Sequence, residues 1–188
     1  MPLVLASSSP RRAELLTSAG FEFVVIPADV DETARAAERP PDYALRVAHS
    51  KADRVVAGLP LDCVVIAADT VVVSGGRMMG KPVDDGDATS MLRTLSGSVH
   101  EVHTAVVVSA RARKVNRVVT TRVRFVPMTE AEIAWYVATD EPAGKAGAYA
   151  IQGRGARFVD SIDGSWSNVV GLPLATVYRL LKDAGYSV

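Results

Sequence analysis

Hydrophobic and polar positions along the chain form short blocks whose period switches between two and 3.6 residues. The run "LVLA" at residues 3–6 predicts a buried strand, and Ser9-Pro10 supplies an N-cap hydroxyl and a proline at the first helical position. Ala13, Leu15, Leu16 and Ala19 then share one helical face until Gly20 stops it. "FEFVVIPADVDE" predicts a second strand running into an acidic loop at Asp29, Asp31 and Glu32. Residues 41–60 predict a second helix whose apolar stripe is Ala44, Val47, Ala48 and Val55. At about 100° per residue Lys51 falls inside that stripe, so it either snorkels to water or reaches a buried anion.

"CVVIAADTVVV", residues 63–73, is a near-continuous apolar run of strand length interrupted by Asp69-Thr70. A Gly75-Gly76 turn and the tripeptide Gly80-Lys81-Pro82 follow, then a third helix over residues 87–95 that stops at Ser96-Gly97. Residues 99–110 and 117–128 alternate as an antiparallel pair, separated by a basic turn region from Arg111 to Asn116. Thr129 and Glu132 make a capping box for a helix over 130–139. A glycine-rich stretch, 144–158, leads through 159–174 into a last helix, Leu174 to Ala184, ended by Gly185. Early strand–helix alternation followed by hairpin strands predicts an α/β fold around a mixed sheet.

The chain has 188 residues, enough for one domain over 1–188 or two closely packed lobes, with no repeat and no low-complexity linker. Lys plus Arg and Asp plus Glu both number 21, so no global basic field favours a nucleic-acid partner, and any anion site must be local. The apolar runs fall far short of the roughly 20 residues that cross a bilayer. Met1-Pro2-Leu3 carries no basic leader segment, and the expected location is the cytoplasm. The single cysteine, Cys63, reads as a buried, inert thiol inside a strand.

Two features suggest chemistry. Asp69 sits in an apolar run, at the end of a strand that reads as buried on both faces, and must be paired, metal-bound or catalytic. Open α/β sheets bind ligands at such strand ends. Asp31 and Glu32 offer a second acidic group, and two carboxylates can hold Mg²⁺ or Mn²⁺ with phosphate oxygens as further ligands. Arg11 and Arg12 occupy the positive end of a helix, where the macrodipole disfavours cations unless an anion is also present. With the Ser7-Ser8-Ser9 hydroxyls and free backbone N–H groups they form a phosphate cradle, to which Lys51 and Lys81 add point charges. From the residues alone this is metal-dependent chemistry on a polyphosphate.

Several decoys fall away. "GGRMMGK" from Gly75 matches the start of a P-loop, but Pro82 stands where a Mg²⁺-binding Ser or Thr is needed. His100 and His103 lack zinc spacing and point to opposite faces of a strand. No nucleophile-elbow or dinucleotide fingerprint occurs. A Nudix-type hydrolase would need a glutamate-dense helix that is absent from the sequence.

"LVLASSSPRR", "DVDE", "SKA", "AADTVV", "GKP", "LSGSVHEVHTAV", "KAGAYAIQG" and "GSWSNVVGLPL" follow one another between residues 3 and 174. In this order they resemble the Maf-type nucleoside triphosphate pyrophosphatases, across nearly the whole chain. The resemblance implies a two-lobed α/β fold of inosine triphosphatase type, with a long mixed sheet and a cleft between the lobes, assembled as a homodimer. It implies cleavage of nucleoside triphosphates between the α and β phosphates with a divalent cation, Mg²⁺ or Mn²⁺, with Co²⁺ as a further option. Asp69 would be general base or metal ligand, and Glu32 would help hold the metal. Ser9, Arg11, Arg12, Lys51 and Lys81 would face the phosphates, while Thr70 and Gln152, with Arg11, fall at positions tied to base choice. "AYAIQG" and "GSWSNVVGLPL" resemble the branch acting on dTTP and UTP, which clears unwanted nucleotides from the pool. Trp166, His103 and Ala150 depart from the usual pattern without touching the catalytic set. A different class of function, a nucleotide-binding regulator of septum formation with little catalysis, is the competing expectation.

Overall fold

The computed structural model describes residues 1–60, 62–110 and 113–187. Among the described residues seven strands order as β2-β1-β3-β5-β6-β7, with β4 paired to β3. They are β1 (Leu3–Ala6), β2 (Val24–Val25), β3 (Val64–Ser74), β4 (Arg77–Met79), β5 (Val99–Ala110), β6 (Arg113–Phe125) and β7 (Val159–Asp163). β1 pairs parallel with both β2 and β3, whereas β4 runs antiparallel to β3 and β7 to β6, so the sheet is mixed. The helices are α1 (Pro10–Ser18), α2 (Pro40–Val56), α3 (Asp85–Leu95), α4 (Glu130–Val137), α5 (Trp166–Val170) and α6 (Leu174–Asp183), with 3₁₀ turns at Ala146–Ala148 and Arg154–Phe158. Among the described residues no helix is long and apolar enough to cross a membrane.

The chain divides into two compact units. The first comprises Met1–Asp69, Thr104–Val119 and Gly171–Val188; the second comprises Thr70–His103 and Thr120–Val170. In the first, Leu5, Leu16, Val47, Ala48 and Ile66 are fully buried, which is the expected apolar face of α1 and α2 set on β1 and β3. In the second, Leu92, Leu95, Phe125, Ile133, Tyr136 and Phe158 are the centre of a separate apolar cluster.

Local chemistry explains most boundaries. Pro40 and Pro41 open α2 at positions whose N–H groups have no helical partner, with Asp42 in the first turn and Arg54 in the last. The capping box forms as expected: Thr129 Oγ1 accepts from the Glu132 amide, and Glu132 reaches back to the Thr129 amide at 2.7 Å. Gly75 and Gly76 adopt positive φ in the turn joining β3 to β4. "GGRMMGK" is therefore hairpin rather than P-loop, and α3 starts only at Asp85.

Other expectations need correction. β2 is only two residues long: Val24 and Val25 are exposed, so little burial rewards a longer strand, and the pairing with β1 has two rungs. Arg113–Asn116 belong to β6 rather than to a turn: their side chains are mostly exposed, so the polar composition marks a solvated strand end. Arg111, expected in that turn, lies outside the described residues. Cys63 precedes β3 and is only half-buried. Ser9 is the N-cap residue, but its hydroxyl makes no capping bond; the Ser9 amide instead donates to Ser7 Oγ at 3.2 Å.

Candidate active site

The first unit assembles four charged side chains from four segments. The parallel ladder between β1 and β3 ends at the rung Ala6–Ala67, and pairing with β4 begins only at Val72. Asp69 lies between these points, in mid-strand rather than at the strand end expected from the sequence. Asp69 nevertheless stands just past the carboxyl end of β1, where the parallel ladder stops, and open α/β sheets bind ligands at such ends. Its side chain is buried, with 6% of its surface exposed.

Lys51 answers the question raised by its place in the α2 stripe. It is buried, and its Nζ donates to Asp69 Oδ1 at 2.7 Å and pairs with Glu32 Oε1 at 2.7 Å. A snorkelling lysine would instead keep its ammonium in water. Burial raises the Asp69 pKa above the ordinary carboxylate value and Glu32 adds to the rise, while Lys51 and Arg12 pull it part of the way back. A carboxylate moved towards neutrality is a better proton acceptor for catalysis.

Arg11 and Arg12 part company, as neighbours 100° apart on a helix must. Arg12 is buried; its Nε donates to the Gly171 carbonyl at 2.8 Å, and its Nη1 to the Ala68 carbonyl at 2.8 Å and Ser7 Oγ at 3.2 Å. It thus pins the segment of β3 that carries Asp69. Desolvation lowers its pKa, and Asp69 opposes that effect. Arg11 is half-buried, its pKa lowered by desolvation against the attraction of Glu14. At the positive helix end Arg12 is therefore balanced, in part, by the Asp69 and Glu32 carboxylates, and Arg11 by Glu14.

The acidic loop resolves similarly. Asp31 Oδ1 accepts the Thr33 amide at 2.8 Å and closes a local turn, leaving Glu32 to reach Lys51. Two residues of α2 that sequence reasoning did not single out hold this loop. Tyr43 Oη donates to the Glu32 carbonyl at 2.9 Å, and Arg46 donates to the Thr33 carbonyl at 3.0 Å while forking onto Glu38. Burial, followed by the Asp69 and Glu32 charges, pushes the Tyr43 phenol up to about 12, so it keeps the proton it donates. Their signal was available: Tyr43 and Arg46 flank the helical face that carries Val47 and Lys51.

Asp69 and Glu32 meet one small cation, the Lys51 ammonium, from two directions. Both are hard oxygen donors, the chemistry that suits Mg²⁺ or Mn²⁺ completed by water and phosphate oxygens. Among the described residues no group of three or more His, Cys, Asp or Glu side chains converges. His100 and His103 are instead buried structural residues, bonded to Tyr149 Oη and Thr120 Oγ1, each at 2.8 Å.

The remaining expected site residues belong to the second unit. Thr70 is half-buried beside Asp69 on β3, while Lys81 and Gln152 are exposed. The Gly147 amide donates to the Gly80 carbonyl at 3.0 Å, which ties the loop carrying Lys81 to the segment leading to Gln152. Gly147 has a φ of 70° and would place a Cβ 3.0 Å from Val72, so this crossing leaves no room for a side chain.

The family model described as "Maf-like protein" matches residues 2–184. A dTTP/UTP pyrophosphatase of Anaeromyxobacter dehalogenans (strain 2CP-1 / ATCC BAA-258) is 54% identical over 188 residues, covering 98% of this chain and 94% of that protein. A protein of the same description from Syntrophus aciditrophicus (strain SB) is 49% identical, covering 97% of this chain and 90% of its own. A third, from Shewanella oneidensis, is 49% identical, covering 98% and 99%. Among solved structures, the Staphylococcus aureus Ham1 protein shares the fold, with a TM-score of 0.53 at 13% identity over 97% of this chain and 99% of that one. With a family match across nearly all its length and relatives at about half identity, the chain belongs to the Maf family.

Proposed function

We propose that this protein hydrolyses nucleoside triphosphates, dTTP and UTP foremost, to the monophosphate and pyrophosphate, and so removes unwanted nucleotides from the pool. The observation that carries the proposal is the buried Asp69 carboxylate held by the Lys51 ammonium, with Glu32 on the same nitrogen. The names of the relatives, pyrophosphatases acting on dTTP and UTP, support the substrate choice.

The chemistry assigned to this chain's residues is mostly positioning and charge stabilisation. Asp69, with its raised pKa, orients a water and accepts its proton as the oxygen attacks the α-phosphorus in line. Lys51 and Arg11 neutralise the triphosphate tail, and Lys81 does the same from its own loop. Ser9 contributes its uncapped hydroxyl at the start of α1. Arg12 acts through the β3 carbonyl it holds and through its field on Asp69. Glu32 and Asp69 would hold a divalent cation, Mg²⁺, Mn²⁺ or Co²⁺, which when bound polarises phosphate oxygens and stabilises the departing pyrophosphate. Thr70 and Gln152 are assigned to the base. A cytoplasmic homodimer, each chain one catalytic domain over 1–188 and without a nucleic-acid partner, completes the proposal. A pure binding regulator of septum formation is not favoured, because it has no use for a proton-accepting carboxylate in this setting.

The test is pyrophosphate release from a panel of nucleoside triphosphates with Mg²⁺ or Mn²⁺, comparing wild type with Asp69→Asn. Selective release from dTTP and UTP, lost in a folded variant, is the expected outcome. Binding of dTTP without turnover under both ions would instead support the regulator, and oxygen-labelled water appearing in pyrophosphate would place the attack on the wrong phosphorus.

A further inference from the structure

The second unit contains a carboxylate that neither the sequence motifs nor the proposed mechanism uses. Glu141 follows α4 and is partly buried. Its Oε1 accepts the Tyr136 hydroxyl at 2.7 Å and the Gly155 amide at 2.9 Å, and its Oε2 accepts the Arg154 amide at 2.8 Å. The Tyr136 oxygen in turn accepts the Ala150 amide at 3.1 Å. One carboxyl and one phenol therefore fix the backbone at residues 150, 154 and 155, on both sides of the exposed Gln152.

The fit around these groups is close. A Cβ on Gly153 would lie 2.1 Å from Glu141 Oε2, and one on Gly155 would lie 2.5 Å from the Tyr136 oxygen. The two glycines are what allow the loop backbone to approach a carboxylate this nearly. Burial by itself would raise the Glu141 pKa, but the Gly155 and Arg154 amides and the Tyr136 hydroxyl outweigh it, and the group stays ionised. Tyr136 is fully buried, and burial followed by Glu141 raises its pKa, so it remains a proton donor. Lys145, whose ammonium lies at the Glu141 carbonyl, adds a further pull towards the ionised carboxylate.

We propose that Glu141, held by Tyr136, is a positioning residue that sets where Gln152 stands and thereby how sharply the enzyme distinguishes nucleobases. This rests on the assignment of Gln152 to the base. Side chains that read a base by hydrogen bonding discriminate only when they are held in place, because a mobile amide satisfies donors and acceptors alike. Hung between anchors at Ala150 and Arg154, Gln152 has a short backbone span in which to move.

The experiment measures kcat and KM for dTTP, UTP, dCTP and dGTP in wild type, Glu141→Gln, Tyr136→Phe and Gln152→Ala, below the melting temperature of each. Glu141→Gln keeps one acceptor oxygen but turns an amide N–H₂ towards a backbone N–H. Tyr136→Phe removes the donor to Glu141 and the acceptor for Ala150 without changing the ring. Both are expected to narrow the preference for dTTP over dCTP by about tenfold, the scale of one lost hydrogen bond, mainly by raising KM for dTTP. Should Gln152→Ala narrow the preference while both clamp variants, folded but less stable, keep it, Glu141 is purely structural and the proposal is overturned. Should Gln152→Ala leave the preference intact, the assignment of Gln152 to the base is what has failed, and the proposal falls with it.

Discussion

Replacing Lys51 by methionine keeps the length and apolar stem of the side chain and removes only the ammonium between Asp69 and Glu32. Both partners of the Lys51–Asp69 pair are under a tenth exposed, so the loss leaves a buried carboxylate facing a second one with no intervening charge. Breaking a buried pair on one side costs about 3–5 kcal/mol. Glu32 is 39% exposed and can turn to water, and Asp69 already has a raised pKa and can take up a proton, so the low end, about 3 kcal/mol, applies. For a chain of this size that is a fall in Tm of about 6–12 °C. Melting in EDTA, followed by circular dichroism, is the assay. Adding Asp69→Asn to Lys51→Met removes the stranded charge and should recover at least half of the loss. Mn²⁺ added to the single variant should also raise its Tm, because a divalent cation can take the place of the missing ammonium. An unchanged Tm in Lys51→Met would refute the idea that the ammonium holds the two carboxylates together.

The two arginines of α1 should separate by phenotype. Arg12→Ala withdraws three buried hydrogen bonds from a charged donor, worth about 1.5–3 kcal/mol each before relaxation, and should lower Tm severely. Arg11→Ala should raise KM for dTTP with little change in Tm; equal Tm losses in both would show that the division of labour is wrong. His100 should limit acid stability. It is 1% exposed, its Nδ1 finds no hydrogen-bond partner among the described residues, and burial pushes its pKa down to about 4. A folded pKa below the unfolded one means that the unfolded chain binds the proton more tightly. Stability from this group is therefore present above about pH 6.5 and lost as pH falls towards 4, about 3 kcal/mol in all. His100→Gln should flatten that part of the acid unfolding curve, and an identical curve in the variant would assign the acid limb to other groups.

Much of the secondary structure was legible because it is locally determined. The capping box at Thr129, the prolines opening α2 and the glycines between β3 and β4 each satisfy a backbone requirement within a few residues. β7 and α5 were missed because 159–170 lacks a clear period: β7 is exposed at four of five positions and α5 has only five residues. β4 was missed for its length of three residues, set by the hairpin rather than by its own pattern.

The candidate site divides along the same line. Sequence alone determined that Lys51 lies in the buried stripe of α2 and that Asp69 interrupts an apolar strand, since both follow from a repeat measured along the chain. It also provided the motifs that resemble one family from residue 3 to 174. Only the tertiary structure decided that these two charges meet, that Glu32 rather than Asp31 joins them, and that Arg12 turns inward while Arg11 remains half-exposed. Local periodicity specifies which side of an element is buried but not what it is buried against. Pairing of Lys51 with Asp69, and of Glu141 with the backbone around Gln152, depends on segments brought together by long-range packing, where the cost of stranding a buried charge selects the partner.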